Sequence, residues 1–129
     1  MGKLILSVDD DRDILDCLEL ILPAEGYSVV TSVDPENIRA DIAEYNPDLI
    51  LLDIQMGAYN GLEICKELKS LDDIRDIPIL ILSSDDRIFE AVGKYHADGI
   101  ISKPFDISGL IAAIDNFLAA KIISLPRAS

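Results

Sequence analysis

Five side chains in this sequence have the chemistry to act together: the carboxylates of Asp9, Asp10 and Asp53, the hydroxyl of Ser83 and the ammonium of Lys103. Each follows directly on a short apolar run: Leu4 to Val8, Leu49 to Leu52, Ile79 to Leu82, and Gly99 to Ser102. Alone, Asp53 reads as a strand-ending residue that caps a turn. In company it reads differently. Two carboxylates about 4 Å apart repel by roughly 4 kcal/mol at an effective dielectric near 20, so three of them together call for a cation. All-oxygen ligation of that kind suits Mg²⁺ or Mn²⁺, with positions left open for phosphate oxygens. Lys103 offers a compact positive charge to one such oxygen and Ser83 a hydrogen bond to another. Asp53 is then a carboxylate nucleophile able to attack phosphorus and form an acyl phosphate.

These groups act as a set only if the chain folds them to one place. Leu49 to Leu52 is four large apolar residues in a row, the pattern of a strand buried on both faces in a parallel sheet. A first strand spans Lys3 to Val8. The helix after it starts at an Asp11 N-cap, carries Ile14, Leu18, Ile21 and Leu22, and closes at Pro23 and Gly26. A weaker second strand covers Tyr27 to Val33. Asp34-Pro35 then opens a helix with Ile38, Ile42 and Tyr45 on its inner side, ended by Asn46-Pro47. After the third strand come a turn-rich loop, Gly57 to Gly61, and a helix with Ile64, Leu68 and Leu71 inward. The polar connection Asp72 to Asp76 leads to the fourth strand. A short helix with Ile88, Val92 and Tyr95 follows, then the fifth strand. The last helix has the clearest stripe: Ile107, Leu110, Ile111, Ile114, Phe117 and Leu118.

Strand and helix thus alternate five times. That pattern predicts an α/β fold, a flavodoxin-like (βα)5 doubly wound sandwich with right-handed crossovers. Its five-stranded parallel sheet takes the order 2-1-3-4-5, with helices on both faces. Strands one, three and four are then neighbours, with five beside four. Their carboxyl ends bring Asp9, Asp10, Asp53, Ser83 and Lys103 to one sheet edge, where folds of this kind place their sites.

Composition narrows the partners. The 129 residues amount to one domain, and half are hydrophobic, which fits a packed core. A formal charge of −13, from 24 acidic and 11 basic residues, repels phosphate backbones and anionic membranes, so no direct nucleic acid and no membrane partner is expected. No apolar stretch reaches membrane-spanning length, and no signal peptide is visible. Cys17 and Cys65 have no metal or redox spacing and read as buried thiols, which points to a cytoplasmic location. Residues 1–124 are expected to form the domain, and 125–129 a tail or truncated linker.

From Lys3 to Leu118 the chain resembles the receiver domain of bacterial two-component response regulators, in the CheY-like superfamily. The likeness rests on Asp9-Asp10 after strand one, Leu51-Leu52-Asp53, Asn60-Gly61-Leu62, Ser83 after strand four, and Lys103-Pro104-Phe105. It implies that Asp53 is the phosphoacceptor, taking a phosphoryl group from a histidine kinase or histidine phosphotransfer protein in a Mg²⁺-dependent reaction. It further implies that Asp10 and Asp53 ligate the metal directly, that Asp9 acts mainly through metal-bound water, and that the Gln55 backbone carbonyl completes the protein's share. Ser83 and Lys103 would hold phosphoryl oxygens and relay the event to the fourth and fifth units. The reader would be a downstream protein target, an attached effector domain or, as a homodimer, a second copy. Such a domain is no enzyme beyond its own phosphoryl transfer and dephosphorylation. The bond before Pro104 is expected to be cis.

Four positions depart from the family pattern. Gly57 stands where proline is usual, which is expected to loosen the loop beside the metal. Ile100 replaces the aromatic residue whose rotamer accompanies activation. The stretch from Ser83 to Lys103 is short, so the fourth helix should be short or displaced. His96 takes a helix-ending glycine's place and reads as a structural residue in the left-handed region. Ile100, Gly57 and the short fourth unit motivate an alternative, a receiver-like protein-interaction module that no longer switches by phosphorylation. A third reading, an enzyme turning over a small phosphorylated substrate, lacks a cap insertion or substrate loop.

Overall fold

The computed structural model describes residues 2–124, with side chains through 118; the expected tail at 125–129 lies outside the described residues. Five strands form the parallel sheet: β1 (Leu4–Val8), β2 (Ser28–Ser32), β3 (Leu49–Leu52), β6 (Ile79–Ser83) and β7 (Gly99–Ser102). Their spatial order is β2-β1-β3-β6-β7, which is 2-1-3-4-5 when these strands alone are counted. The flavodoxin-like arrangement is therefore the observed one.

The alternation of side chains along each strand divides the core into two halves. Leu6, Val8, Ile50, Leu52, Ile79 and Ile81 point to one face. There they meet α2 (Ile38–Tyr45), α3 (Gly61–Lys69) and α4 (Ala91–Tyr95) through Ile38, Ile42, Leu62, Cys65, Leu68 and Ala91. Ile5, Leu49, Leu51, Leu80, Leu82 and Ile101 point to the other, against α1 (Arg12–Ala24) and α5 (Ile107–Ser124). Buried on both faces, β3 has nowhere to place a polar residue before Asp53. The apolar run stops where the sheet stops.

Several inner stripes differ from their periodic reading. Cys65 is buried, but Cys17 is exposed. Leu15, Leu18 and Leu22 form the buried stripe of α1, and at about 100° per residue Cys17 lies some 200° from Leu15, on the water side. Tyr45 and Ile107, at the last turn of α2 and the first of α5, are likewise exposed. Val92 is 50% exposed because the fourth unit opens with a 3₁₀ turn, Asp86–Glu90, before α4. A repeat near three residues turns Ile88 and Ala91 inward and carries Val92 out. The short fourth helix is as expected. Pro23 stands inside the last turn of α1 rather than after it.

The expected loop after β3 contains a hairpin, β4 (Gln55–Met56) with β5 (Tyr59–Asn60). Its connection is two residues, Gly57 and Ala58. Of these Gly57 has a positive φ, 64°, the pattern of a type II′ turn. A proline cannot adopt that angle. Gly57 is thus the corner of an ordered hairpin, not a loosening of the loop.

Candidate functional site

Backbone hydrogen bonds carry the sheet register one step past the strands and set the site residues side by side. Asp53 N–H donates to the Val8 carbonyl at 3.1 Å, which places Asp53 beside the start of the Asp9-Asp10 turn. Lys103 N–H donates to the Ser83 carbonyl at 2.9 Å, joining the ends of β6 and β7. The Lys103–Pro104 bond is cis, as expected. The carboxyl edge of the sheet therefore gathers all five side chains, four of which, all but the buried Asp9, line one open pocket. That pocket, about 680 Å³, is lined by Asp10, Asp53, Gln55, Ser83, Asp85 and Lys103, among others.

Asp9, Asp10 and Asp53 each offer an oxygen within 4.8 Å of the others. Asp9 is 1% exposed and Asp53 7%, whereas Asp10 faces solvent. At that separation each pair repels by about 3 kcal/mol at an effective dielectric near 20. Lys103 is the cation inside the cluster, its Nζ 2.8 Å from Asp9 Oδ2 and 3.7 Å from Asp53 Oδ2. Three carboxylates less one ammonium leave two negative charges. That residual matches one divalent cation, and the donor set, all oxygen and partly open to water, fits Mg²⁺.

The carboxyl of Asp53 is pushed up to about 6, first by burial and then by the charge of Asp9. Lys103, the Ile54 N–H and the Ser83 hydroxyl pull in the other direction. The Ile54 N–H bond to Asp53 Oδ1 is 2.8 Å. Near neutral pH Asp53 is largely ionised and hence nucleophilic, but its charge is poorly compensated. A cation or an electrophile entering the pocket relieves that.

The Asn60-Gly61-Leu62 segment supports Asp53 from below. Asn60 caps α3 by accepting from the Leu62 N–H at 2.8 Å. Gly61 N–H donates to the Ile54 carbonyl at 2.7 Å, and a Cβ on Gly61 would stand 1.7 Å from the Asp53 carbonyl oxygen. Only glycine lets the backbone bearing Asp53 approach α3 so closely. Gln55 lies in β4 with its side chain exposed, and its carbonyl is on the backbone segment that borders the pocket.

Asp11, Ser84 and Asp85 also border the pocket and were not among the site residues expected from sequence. Asp85 lines the pocket and accepts from the backbone of Arg87 as the cap of the 3₁₀ turn. Its signal was the Ser83-Ser84-Asp85-Asp86 run before an apolar stretch, a helix-start pattern. Arg87 grips the Asp85 carboxylate with two guanidinium nitrogens. His96 adopts the left-handed conformation expected of it, φ 66°, as the C-terminal cap of α4.

Comparison with known proteins adds an independent view. The family model described as response regulator receiver domain matches residues 5–115. Response regulator MprA of Mycobacterium leprae is 38% identical over 112 residues, covering 85% of this chain and 48% of that protein. The chain thus spans about half the length of the curated relatives it matches. Among solved structures, the signal receiver domain of a signal transduction histidine kinase from Syntrophus aciditrophicus superposes with a TM-score of 0.84 at 28% identity, covering 92% of each chain. NtrX from Brucella abortus gives 0.85 at 30% identity, covering 99% of this chain and 30% of that one.

Proposed function

The chain belongs to the response regulator receiver domain family, and from that membership we propose that Asp53 is the phosphoacceptor of a two-component phosphorelay. The observation that carries the reading is the convergence of Asp9, Asp10 and Asp53 within 4.8 Å, with Lys103 on both buried carboxylates. An oxygen of Asp53 attacks the donor's phosphorus. The phosphorus–nitrogen bond of a phosphohistidine breaks, its electron pair returns to the imidazole, and an aspartyl phosphate forms. The donor is a histidine kinase or histidine phosphotransfer protein.

Asp10, Asp53 and the Gln55 carbonyl would hold Mg²⁺ directly, with Asp9 acting through water. When bound, the ion neutralises the carboxylates and the charge that builds on the transferring group. Lys103 supplies a fixed positive charge to a phosphoryl oxygen, and Ser83 a hydrogen bond. Phosphorylation replaces the single charge of the Asp53 carboxylate by the roughly −1.5 to −2 of a phosphoryl group, a net gain of up to about one negative charge in a pocket already rich in carboxylates, which biases the surface built on the fourth and fifth units. A downstream protein, an attached effector domain or a second copy of the chain reads that surface. The greater length of the curated relatives favours an attached effector.

Treatment with acetyl phosphate and Mg²⁺ tests the reading. The wild type should gain one phosphoryl mass and an Asp53→Asn variant none; equal failure of both, even with a cognate kinase, overturns it. Ile100, packed as an aliphatic side chain against the core, favours the second reading of a constitutive interaction module. That reading requires partner binding indifferent to Asp53→Asn.

A further inference from the structure

We propose that the open edge of β2 is a docking site for an extended basic segment of a partner protein, which joins the sheet as a sixth strand. The inference is independent of phosphorylation at Asp53.

β2 ends the sheet, with β1 as its only neighbouring strand among the described residues. Ser28 N–H donates to the Lys3 carbonyl at 2.9 Å, and the Ser32 carbonyl accepts from Asp9 N–H at 3.1 Å. Backbone groups turn to a given neighbour at alternate residues, so Ser28, Val30 and Ser32 face β1. Val29, Thr31 and Val33 therefore turn their N–H groups and carbonyls outward. Sheet edges are usually guarded by a lysine, a proline or a bulge. Tyr27 to Val33 holds no proline and no charge, in a chain of 24 acidic and 11 basic residues, and β2 runs in unbroken register with β1.

Acidic side chains flank this neutral strip. Glu19 of α1 accepts from the Thr31 hydroxyl at the middle of the edge, Glu25 precedes the strip, and Asp34 and Glu36 follow it. The one cation of α1, Arg12, is taken up by Asp16. Side chains alternate across the sheet: Val29 and Thr31 stand on the α1 side and Val30 on the other. An added strand therefore presents to Glu19 the side chain opposite Thr31, and to Val30 the side chains one position to either side. Lysine or arginine suits the first position and an aliphatic residue the second. A second copy of the chain fits poorly. Antiparallel pairing of β2 with itself that uses every outward group sets Thr31 against Thr31. That brings two Glu19 carboxylates together, between molecules that each carry a charge of −13.

The probe is the peptide acetyl-Lys-Val-Lys-Val-Lys-Val-Lys-amide, added to the isotopically labelled whole chain, with amide hydrogen exchange read by NMR. At nine-tenths saturation the Val29, Thr31 and Val33 amides should exchange about tenfold more slowly, since only the free tenth remains open. Ser28, Val30 and Ser32, already bonded to β1, should not change. A peptide N-methylated at its lysines, which cannot donate to the outward carbonyls, should bind weaker by about tenfold or more. So should a peptide with glutamate in place of lysine. Glu19→Gln keeps an acceptor for Thr31 and should weaken binding about two- to fivefold, the worth of an exposed ion pair. Thr31→Pro, which removes an outward N–H and leaves the bonds to β1, should weaken it as well. Failure of the lysine peptide to bind, slowing at odd and even residues alike, or equal binding of the N-methylated peptide overturns the proposal. Slowing at the odd residues that grows with protein concentration in the absence of peptide overturns it too, and assigns the edge to a second copy.

Discussion

Replacing Asp53 by Asn in the metal-free protein should stabilise the fold by an amount that grows with pH. The folded protein holds this carboxyl at about 6 against an ordinary 3.8, through burial and then the charge of Asp9. An acid whose pKa rises on folding binds its proton more tightly when folded. Between those two values the unfolded chain has released the proton and the folded one retains it, so wild-type stability falls as pH climbs from about 4 to about 7. A gap of about two units corresponds to ~3 kcal/mol at full weight. The pocket is open to water, which screens part of this, so the variant's advantage should grow by about 1–2 kcal/mol across that range. Each kcal/mol is worth roughly 3–6 °C in Tm for a domain of this size. The substitution is otherwise mild: Asn keeps an acceptor for the Ile54 N–H, and Lys103 keeps Asp9 at 2.8 Å. Urea denaturation of both proteins in chelator, at steps from about pH 4 to about pH 8, measures it. A difference that stays flat across the range, or shrinks as pH rises, refutes the electrostatic account of the pocket. Added Mg²⁺ should then raise wild-type stability more than that of the variant, by mass action on the folded state.

Substitutions at four further positions have outcomes set by local geometry. Gly61→Ala should cost 2 kcal/mol or more, roughly, because its Cβ meets the Asp53 carbonyl oxygen at 1.7 Å, and it should slow phosphorylation as well; denaturation midpoints and acetyl phosphate time courses check both. Asp98→Ala should cost about 2–4 kcal/mol, since it strips Lys69, whose side chain is 11% exposed, of its ion pair and the Ile79 N–H of its acceptor. Asp16→Ala, which breaks the solvent-exposed pair with Arg12, should change the same urea midpoint by less than about 0.5 kcal/mol. Gly57→Ala should cost about 1–2 kcal/mol at a φ of 64°, and Gly57→Pro should weaken Mg²⁺ binding by undoing the hairpin, as titration calorimetry would read.

The sequence by itself determined the order of the sheet strands and which candidate side chains stand at the carboxyl edge of the sheet. Apolar runs of four or five residues ending in Asp, Ser or Lys are strands whose ends must lie at one sheet edge once the strands are parallel. Local signals such as Asp11, Asp34-Pro35 and the left-handed His96 depend on neighbours close in the chain, and they hold in the structure. The face a residue takes in a short element was less legible. Val92 turned outward because a 3₁₀ turn changed the period before it, and Cys17 because the buried stripe of α1 is narrow. Nor could spacing alone reveal that Gly61 lies against the Asp53 carbonyl or that Gly57 turns a hairpin.

Tertiary structure decided how the site is wired. Which carboxylate Lys103 favours, how far burial lifts Asp53, and what joins Ser83 to the fourth unit all depend on distances of a few ångströms between residues distant in the chain. Coulomb energies and hydrogen bonds change steeply over those distances, whereas residue type and order do not. Four strand ends side by side are enough to name the candidate groups. Only their packing says which of them touch.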